Sequence, residues 1–143
     1  MTLRFGCAAA AAWCLLGATR LLTAALPFGA VRRLLGEPAA PGGVGPLAPP
    51  DVTRDQLAHA GAVGRAIGYA AGRTPWTSDC YPQALTARIL LRGARVPHSV
   101  VFGLRRGDAG ELRAHAWVTV GEVVVTGGTT RAWTPVGTFT WQP

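Results

Sequence analysis

The stretch Ser78–Leu85, which reads SDCYPQAL, decides the fold of this chain. Ser78 or Asp79 can cap a helix, and the proline that follows lies in the first turn, where a missing N–H costs no hydrogen bond. These signals predict a helix from about Cys80 to Leu91. Its apolar residues recur at helical spacing on one face. That buried stripe consists of Cys80, Ala84, Ala87 and Leu91.

The position of Cys80 at the start of this helix favours a role for its thiol as a nucleophile. The unpaired amides and the dipole of a helix N-terminus stabilise a thiolate. The same amides can hold the oxyanion that forms when a carbonyl is attacked. Gln83, one helical turn later, is a candidate for binding the oxyanion or for orienting the catalytic base. The alternative is that Cys80 is a buried cysteine without chemistry.

Four β-rich runs after the helix predict an antiparallel sheet. In the second run the side chains alternate, so that His115 and Trp117 share one face and the aliphatic residues share the other. We therefore predict an α+β fold in which the nucleophile helix packs on this sheet. The runs are Val96–Leu104, Glu111–Val120, Val123–Val125 and Val136–Trp141.

His115 is the candidate base for Cys80. The pair can act only if the His115 face meets the Cys80 end of the helix, and a structural histidine beside Trp117 is the alternative. Trp76 and Trp117 adjoin the two reactive residues, so they are candidates for the walls of a substrate cleft or for core aromatics. His98 follows a proline at a strand start and is expected to be exposed.

The N-terminal part divides from the rest at a run rich in proline and glycine. We predict a helical extension over residues 1–36, a linker or loop over 37–50 and the catalytic domain over 51–143. The extension contains arginines and no acid. We expect it to pack on the domain, with contact at a membrane surface or a signal sequence as alternatives. Cys7 and Cys14, two turns apart, are expected to be small buried residues.

The charge and cysteine content of the chain indicate which partners and bound groups to expect. The net charge of +7 comes from 14 arginines and no lysine, against 7 acids. These arginines do not cluster with aromatics, so nucleic acid is not an expected partner. No paired Cys/His motif indicates a metal site, and nothing indicates a cofactor. Because a thiol nucleophile must stay reduced, we expect a cytoplasmic protein, with membrane association left open.

Three blocks of sequence, taken in their order and spacing, resemble those of one protein family. The chain resembles the leader peptidases of lasso-peptide biosynthesis, the B proteins, which are transglutaminase-like cysteine proteases with a papain-like core. The likeness covers about Thr74 to Phe139. The blocks are Trp76-x3-Cys80-x2-Gln83-Ala84-Leu85, Leu90-Leu91-Arg92-Gly93 and Ala114-His115-Ala116-Trp117-Val118.

The resemblance implies a role for each residue and for several partners. Cys80 would be the nucleophile and His115 its base, in an enzyme that removes the leader from a ribosomally made lasso-peptide precursor. A separate leader-recognition protein would deliver the precursor, as in the split form of the family, and a lasso cyclase would close the freed core. Many relatives carry an Asp after the histidine strand, whereas residues 125–129 contain no acid. Thr126, a backbone carbonyl or Gln83 could orient the imidazole instead.

Two other functions fit the same sequence. A non-catalytic scaffold of this fold could bind the precursor or the cyclase, which the missing Asp makes conceivable. A transglutaminase-like acyl transferase could use the same thiol on another acceptor.

Overall fold

Four helices precede a four-stranded sheet in the computed structural model, which describes residues 2–36 and 50–143. This order confirms the predicted α+β class. The predicted linker over residues 37–50 lies outside the described residues, apart from Pro50. The helices are α1 (Leu3–Ala25), α2 (Phe28–Leu35), α3 (Arg54–Ala71) and α4 (Cys80–Gly93), and the strands are β1 (His98–Arg106), β2 (Leu112–Val120), β3 (Val123–Thr126) and β4 (Thr134–Trp141).

Local signals fix the ends of the helices. Thr53 accepts a hydrogen bond from the Gln56 amide, and the Gln56 side chain accepts one from the Thr53 amide, so that the two form a capping box at the start of α3. Gly36, with φ of +91°, ends α2 at the last residue of the predicted helical extension. Asp79 is the N-cap of α4 by position, but its side chain makes no capping hydrogen bond.

The sheet is antiparallel and has the order β3-β2-β1-β4. In its centre Val100 of β1 pairs with Val118 of β2 and Phe139 of β4. These three side chains are buried in the same cluster as Ala84 and Leu91 of α4. The helix that begins at Cys80 therefore packs on one face of the sheet, as predicted.

The two N-terminal helices contribute to the same core. Leu16 of α1 and Val31 of α2 are buried in the cluster that α3, α4 and the sheet share. Each fully buried aliphatic side chain contributes about 1.5–3 kcal/mol to stability. The Thr19 hydroxyl of α1 also lies 3.2 Å from the Pro82 carbonyl, to which it can donate, and 3.2 Å from the Thr86 hydroxyl. These hydrogen bonds connect α1 to the first turns of α4.

The outer surface of α1 is apolar and exposed. The helix is long and apolar enough to span a membrane, and 22% of its most apolar window is buried inside the protein. Signal sequences and core helices share this property, so length and composition alone do not assign a location. The expectation that Cys7 and Cys14 are buried is wrong, because both lie on the exposed side of α1.

His98 is buried, with 1% of its surface exposed, which corrects the expectation of an exposed histidine. The physical reason is that β1 is a central strand, so its first residue is covered by β4, whose Trp141 ring lies 5.6 Å away. Nδ1 of His98 donates to the Val96 carbonyl at 2.8 Å, since a carbonyl can only accept. Nε2 has no partner among the described residues.

The burial of His98 predicts that the protein loses stability in mild acid. Desolvation lowers the pKa of His98, and the charges of Arg88 and Arg92 lower it further, although the Val96 carbonyl opposes them. Below about pH 6.5 the unfolded chain then binds a proton that the folded protein does not. The stability that the neutral His98 ring contributes is therefore fully present above that pH. As the pH falls from there towards the lower pKa of the folded state, the free energy of unfolding decreases by up to about 1.4 kcal/mol per pH unit.

Urea unfolding between pH 8 and pH 5 measures this slope. His98→Asn keeps a donor for the Val96 carbonyl and removes the titrating ring, so we expect a flatter profile. His59→Asn changes an exposed histidine of α3 and serves as the matched control. Equal slopes for wild type and His98→Asn would contradict the account.

Candidate active site

Cys80 is a half-buried residue at the first position of α4. The turn before it is held by the Gln83 side chain, whose Nε2 donates to the Ser78 carbonyl at 2.7 Å, and by the Thr74 and Ser78 hydroxyls, which lie 2.8 Å apart. Because the Asp79 side chain does not cap the helix, the first-turn amides keep their capacity to bind an anion. The local structure therefore suits a cysteine that attacks a carbonyl.

His115 of β2 is held by aromatic rings and one hydrogen bond. Its ring stacks on Trp133 with centroids 4.7 Å apart, and the Trp117 ring lies at 5.8 Å. Its Nε2 lies 2.7 Å from the Gly127 carbonyl. Since a carbonyl can only accept, Nε2 carries the proton, and the lone pair of the neutral ring is on Nδ1. His115 is thus oriented to take up a proton at Nδ1.

The Gly127 carbonyl orients the imidazole of His115. The sequence left three candidates for this role, namely Gln83, Thr126 and a backbone carbonyl. Gln83 is engaged with the Ser78 carbonyl. Thr126 is buried, and its Oγ1 has no hydrogen-bond partner among the described residues. A neutral carbonyl fixes the tautomer of His115, but it stabilises an imidazolium less than a carboxylate does.

Sequence reasoning missed Trp133 as part of this site, and it named a backbone carbonyl as a candidate without assigning it to Gly127. The glycine pair Gly127-Gly128, which ends β3 with φ of +99° and +61°, was a signal for a special backbone position. For Trp133 no such signal exists, because it comes from the turn before β4 and meets His115 only in the folded protein.

Gly127→Ala is expected to disturb the His115 site strongly. A Cβ at this position would overlap the Trp117 side chain, and the positive φ is itself unfavourable for alanine. We expect a loss of about 2–4 kcal/mol in the free energy of unfolding, together with reduced activity. Gly128→Ala is the control, because its φ is also positive but no atom lies within 4 Å of the new Cβ. Thermal unfolding that is equal for both variants would contradict this prediction.

The two candidate cleft tryptophans have different surroundings. The Trp76 ring packs against Trp13 of α1, with centroids 4.8 Å apart, and it lies over Gly17. Trp117 is buried over Gly103 of β1, on the sheet face that carries His115. The contacts of Trp76 therefore join α1 to the loop before α4, whereas Trp117 supports the imidazole.

α4 packs on one face of the sheet, and the His115 side chain lies on the other face, beside Trp117 and Trp133. The Tyr81 ring is 5.9 Å from Phe102, which pairs with Ala116, so the start of α4 lies near the His115 position along the strand. Ala116 packs in the helix-facing core, and alternation turns the His115 side chain to the other face. Among the described residues, no hydrogen bond joins the Cys80 thiol to the imidazole.

The described residues contain no group of three or more His, Cys, Asp or Glu side chains that could hold a metal ion.

A comparison with protein families adds one finding to this geometry. A family model described as the transglutaminase-like superfamily matches residues 22–138, which is most of the chain. The match begins within α1 and ends in β4, so it includes α2 and both candidate reactive residues. No curated protein and no solved structure gives a significant match.

Proposed function

The chain belongs to the transglutaminase-like superfamily, and on this premise we propose that it is a cysteine peptidase with Cys80 as nucleophile and His115 as base. The superfamily fold supports cysteine-peptidase or acyl-transfer chemistry. The observation that carries the proposal is the hydrogen bond from His115 Nε2 to the Gly127 carbonyl, which leaves Nδ1 as the basic nitrogen.

In the proposed reaction, His115 accepts the thiol proton at Nδ1 and Cys80 Sγ attacks a peptide carbonyl. The first-turn amides of α4 hold the oxyanion. His115 then gives its proton to the leaving amine as the C–N bond breaks, and a thioester remains on Cys80. Water, deprotonated by His115, attacks the thioester and breaks the C–S bond, which releases the new carboxyl end, and His115 returns the proton to the Cys80 sulfur.

This reaction requires the imidazole to come within hydrogen-bond reach of the thiol. We propose that the start of α4 and the edge of β2 at His115 approach one another when a peptide binds. Two features favour such an approach. β3 ends at Thr126, opposite Val118, so β2 has no paired neighbour from β3 at the level of His115. The thiol is also only half-buried.

We further propose that the substrate is the leader region of a lasso-peptide precursor. The blocks around Cys80 and His115 and their resemblance to the B proteins support this assignment. In this scheme a separate recognition protein delivers the precursor, and a lasso cyclase uses the amine that cleavage frees. The excess of arginine favours an acidic leader or partner surface.

Cleavage in heavy-oxygen water tests the proposed function. The purified protein is incubated with a precursor peptide, the recognition protein and a small primary amine, and the products are analysed by mass spectrometry. A peptidase releases a leader that carries one heavy oxygen at its new C-terminus and a core with a free amine. A leader joined to an added amine without heavy oxygen would indicate acyl transfer, and an unchanged precursor would indicate a scaffold; either result would overturn the proposal.

A further inference from the structure

A cavity that neither Cys80 nor His115 lines lies between α1, α2 and α4. It is a cavity of about 270 Å³ with walls that are mostly aliphatic. Leu34 and Ile89 line it and are 61% and 47% exposed, so they mark its mouth. The walls are formed by Leu22, Val31, Leu35 and Leu85.

Arg88 of α4 lines this cavity and is 8% exposed. Its Nη2 donates to the Leu34 carbonyl at 3.2 Å, whereas Nη1 has no partner among the described residues. Among the described residues, one ion pair is present, and it joins Arg113 to Glu111. None of the described carboxylates therefore neutralises Arg88. Desolvation lowers the pKa of Arg88, and the nearby charge of Arg92 lowers it further.

A buried arginine that no described carboxylate neutralises is costly, because a charge taken out of water needs a partner. An anion beside Arg88 would neutralise that charge, and its oxygens could accept from Nη1. Arg92 also lines the cavity and would add a second positive charge.

We propose that this cavity binds a small anionic amphiphile, a single aliphatic chain that ends in a carboxylate or phosphate. The chain contacts the leucine and valine walls, and the anionic head pairs with Arg88 and Arg92. The volume lies at the small end of the range for ligand sites. The ligand is therefore a short chain or the end of a longer chain that enters between Leu34 and Ile89.

The polar groups of the cavity favour an amphiphile over a peptide. A peptide brings amide groups that need hydrogen-bond partners once they are buried. Thr19 is a polar lining residue, and its hydroxyl is already within 3.2 Å of the Leu16 and Pro82 carbonyls. An aliphatic chain needs no such partners, and its one charged end meets the two arginines.

Calorimetric titration with decanoate tests the proposal on the full-length protein. We expect saturable binding with one site per chain, and affinity at least about tenfold weaker for Arg88→Leu because a charge-assisted hydrogen bond is lost. Arg65→Leu removes the same charge from an exposed position of α3 and should bind as wild type does. Decanol, which keeps the chain without the charge, should bind at least about tenfold more weakly than decanoate.

Further variants and vesicles complete the design. Arg88→Lys keeps a positive charge and should retain part of the affinity, which separates lost charge from lost structure. Ile89→Trp fills the mouth and should block decanoate. Binding to phosphatidylglycerol vesicles that requires Arg88, without binding to phosphatidylcholine vesicles, would identify a lipid as the source, whereas decanoate binding alone would indicate a free amphiphile. Equal affinities of wild type and a folded Arg88→Leu variant, no decanoate binding, or Arg88-dependent binding of an acidic peptide alone would overturn the proposal.

Discussion

Replacing Cys80 with alanine is expected to lower the rate of leader cleavage by about 10⁴-fold or more. Alanine keeps the Cβ and the helix start, but it removes the sulfur that forms the thioester. Because Cys80 is half-buried, the loss of one sulfur should change stability little. The measurement is single-turnover cleavage of a precursor peptide by wild type and variant, with the recognition protein present.

Cys7→Ala and Cys14→Ala are the matched controls. Both residues are free and exposed on α1, so their removal tests for a general thiol effect. We expect both variants to cleave at the wild-type rate. Cleavage by Cys80→Ala within a few-fold of wild type would exclude this residue as the nucleophile and would leave the scaffold as the better description.

His115→Ala is expected to lower the same rate by about 10²–10⁴-fold. The variant loses the group that takes the thiol proton and returns it to the leaving amine. Added imidazole should restore part of the rate, because it can take the thiol proton in place of the missing side chain. Single-turnover rates with and without added imidazole measure this loss and its rescue.

His59→Ala is the control for His115→Ala, because His59 is an exposed histidine on another element. Unfolding curves establish that His115→Ala retains its fold after losing the stacking on Trp133. A folded variant that cleaves at the wild-type rate would show that His115 is a structural residue beside Trp117 and Trp133.

Local patterns were sufficient to predict most of the elements. α2 lies at Phe28–Leu35 because a proline precedes it and a glycine with positive φ ends it. α4 starts at Cys80 as the proline two residues later indicates. The period of two in β2 correctly separated Ala116 and Val118 from His115 and Trp117. The family match confirms the transglutaminase-like core that the motifs indicated.

Contacts between distant parts of the chain were not predictable from these patterns. The burial of His98 depends on β4, which pairs with β1 from the far end of the chain. The carbonyl that orients His115 belongs to the backbone of Gly127, and no side-chain motif identifies a backbone acceptor. Cys7 is exposed because α1 packs through another face, which includes Leu16. In each case the deciding partner lies on an element that local spacing does not place.

The reactivity of the three thiols tests most directly whether the imidazole activates Cys80. Iodoacetamide alkylation, followed residue by residue with mass spectrometry at neutral pH, uses Cys7 and Cys14 as internal references in the same molecule. With the leader peptide bound, which the proposal requires for the two groups to meet, we predict that Cys80 reacts at least about tenfold faster than either reference in wild type and that His115→Gln removes this advantage. A Cys80 that reacts no faster than the two α1 thiols, with a rate unchanged by His115→Gln, would contradict the proposed catalytic pair.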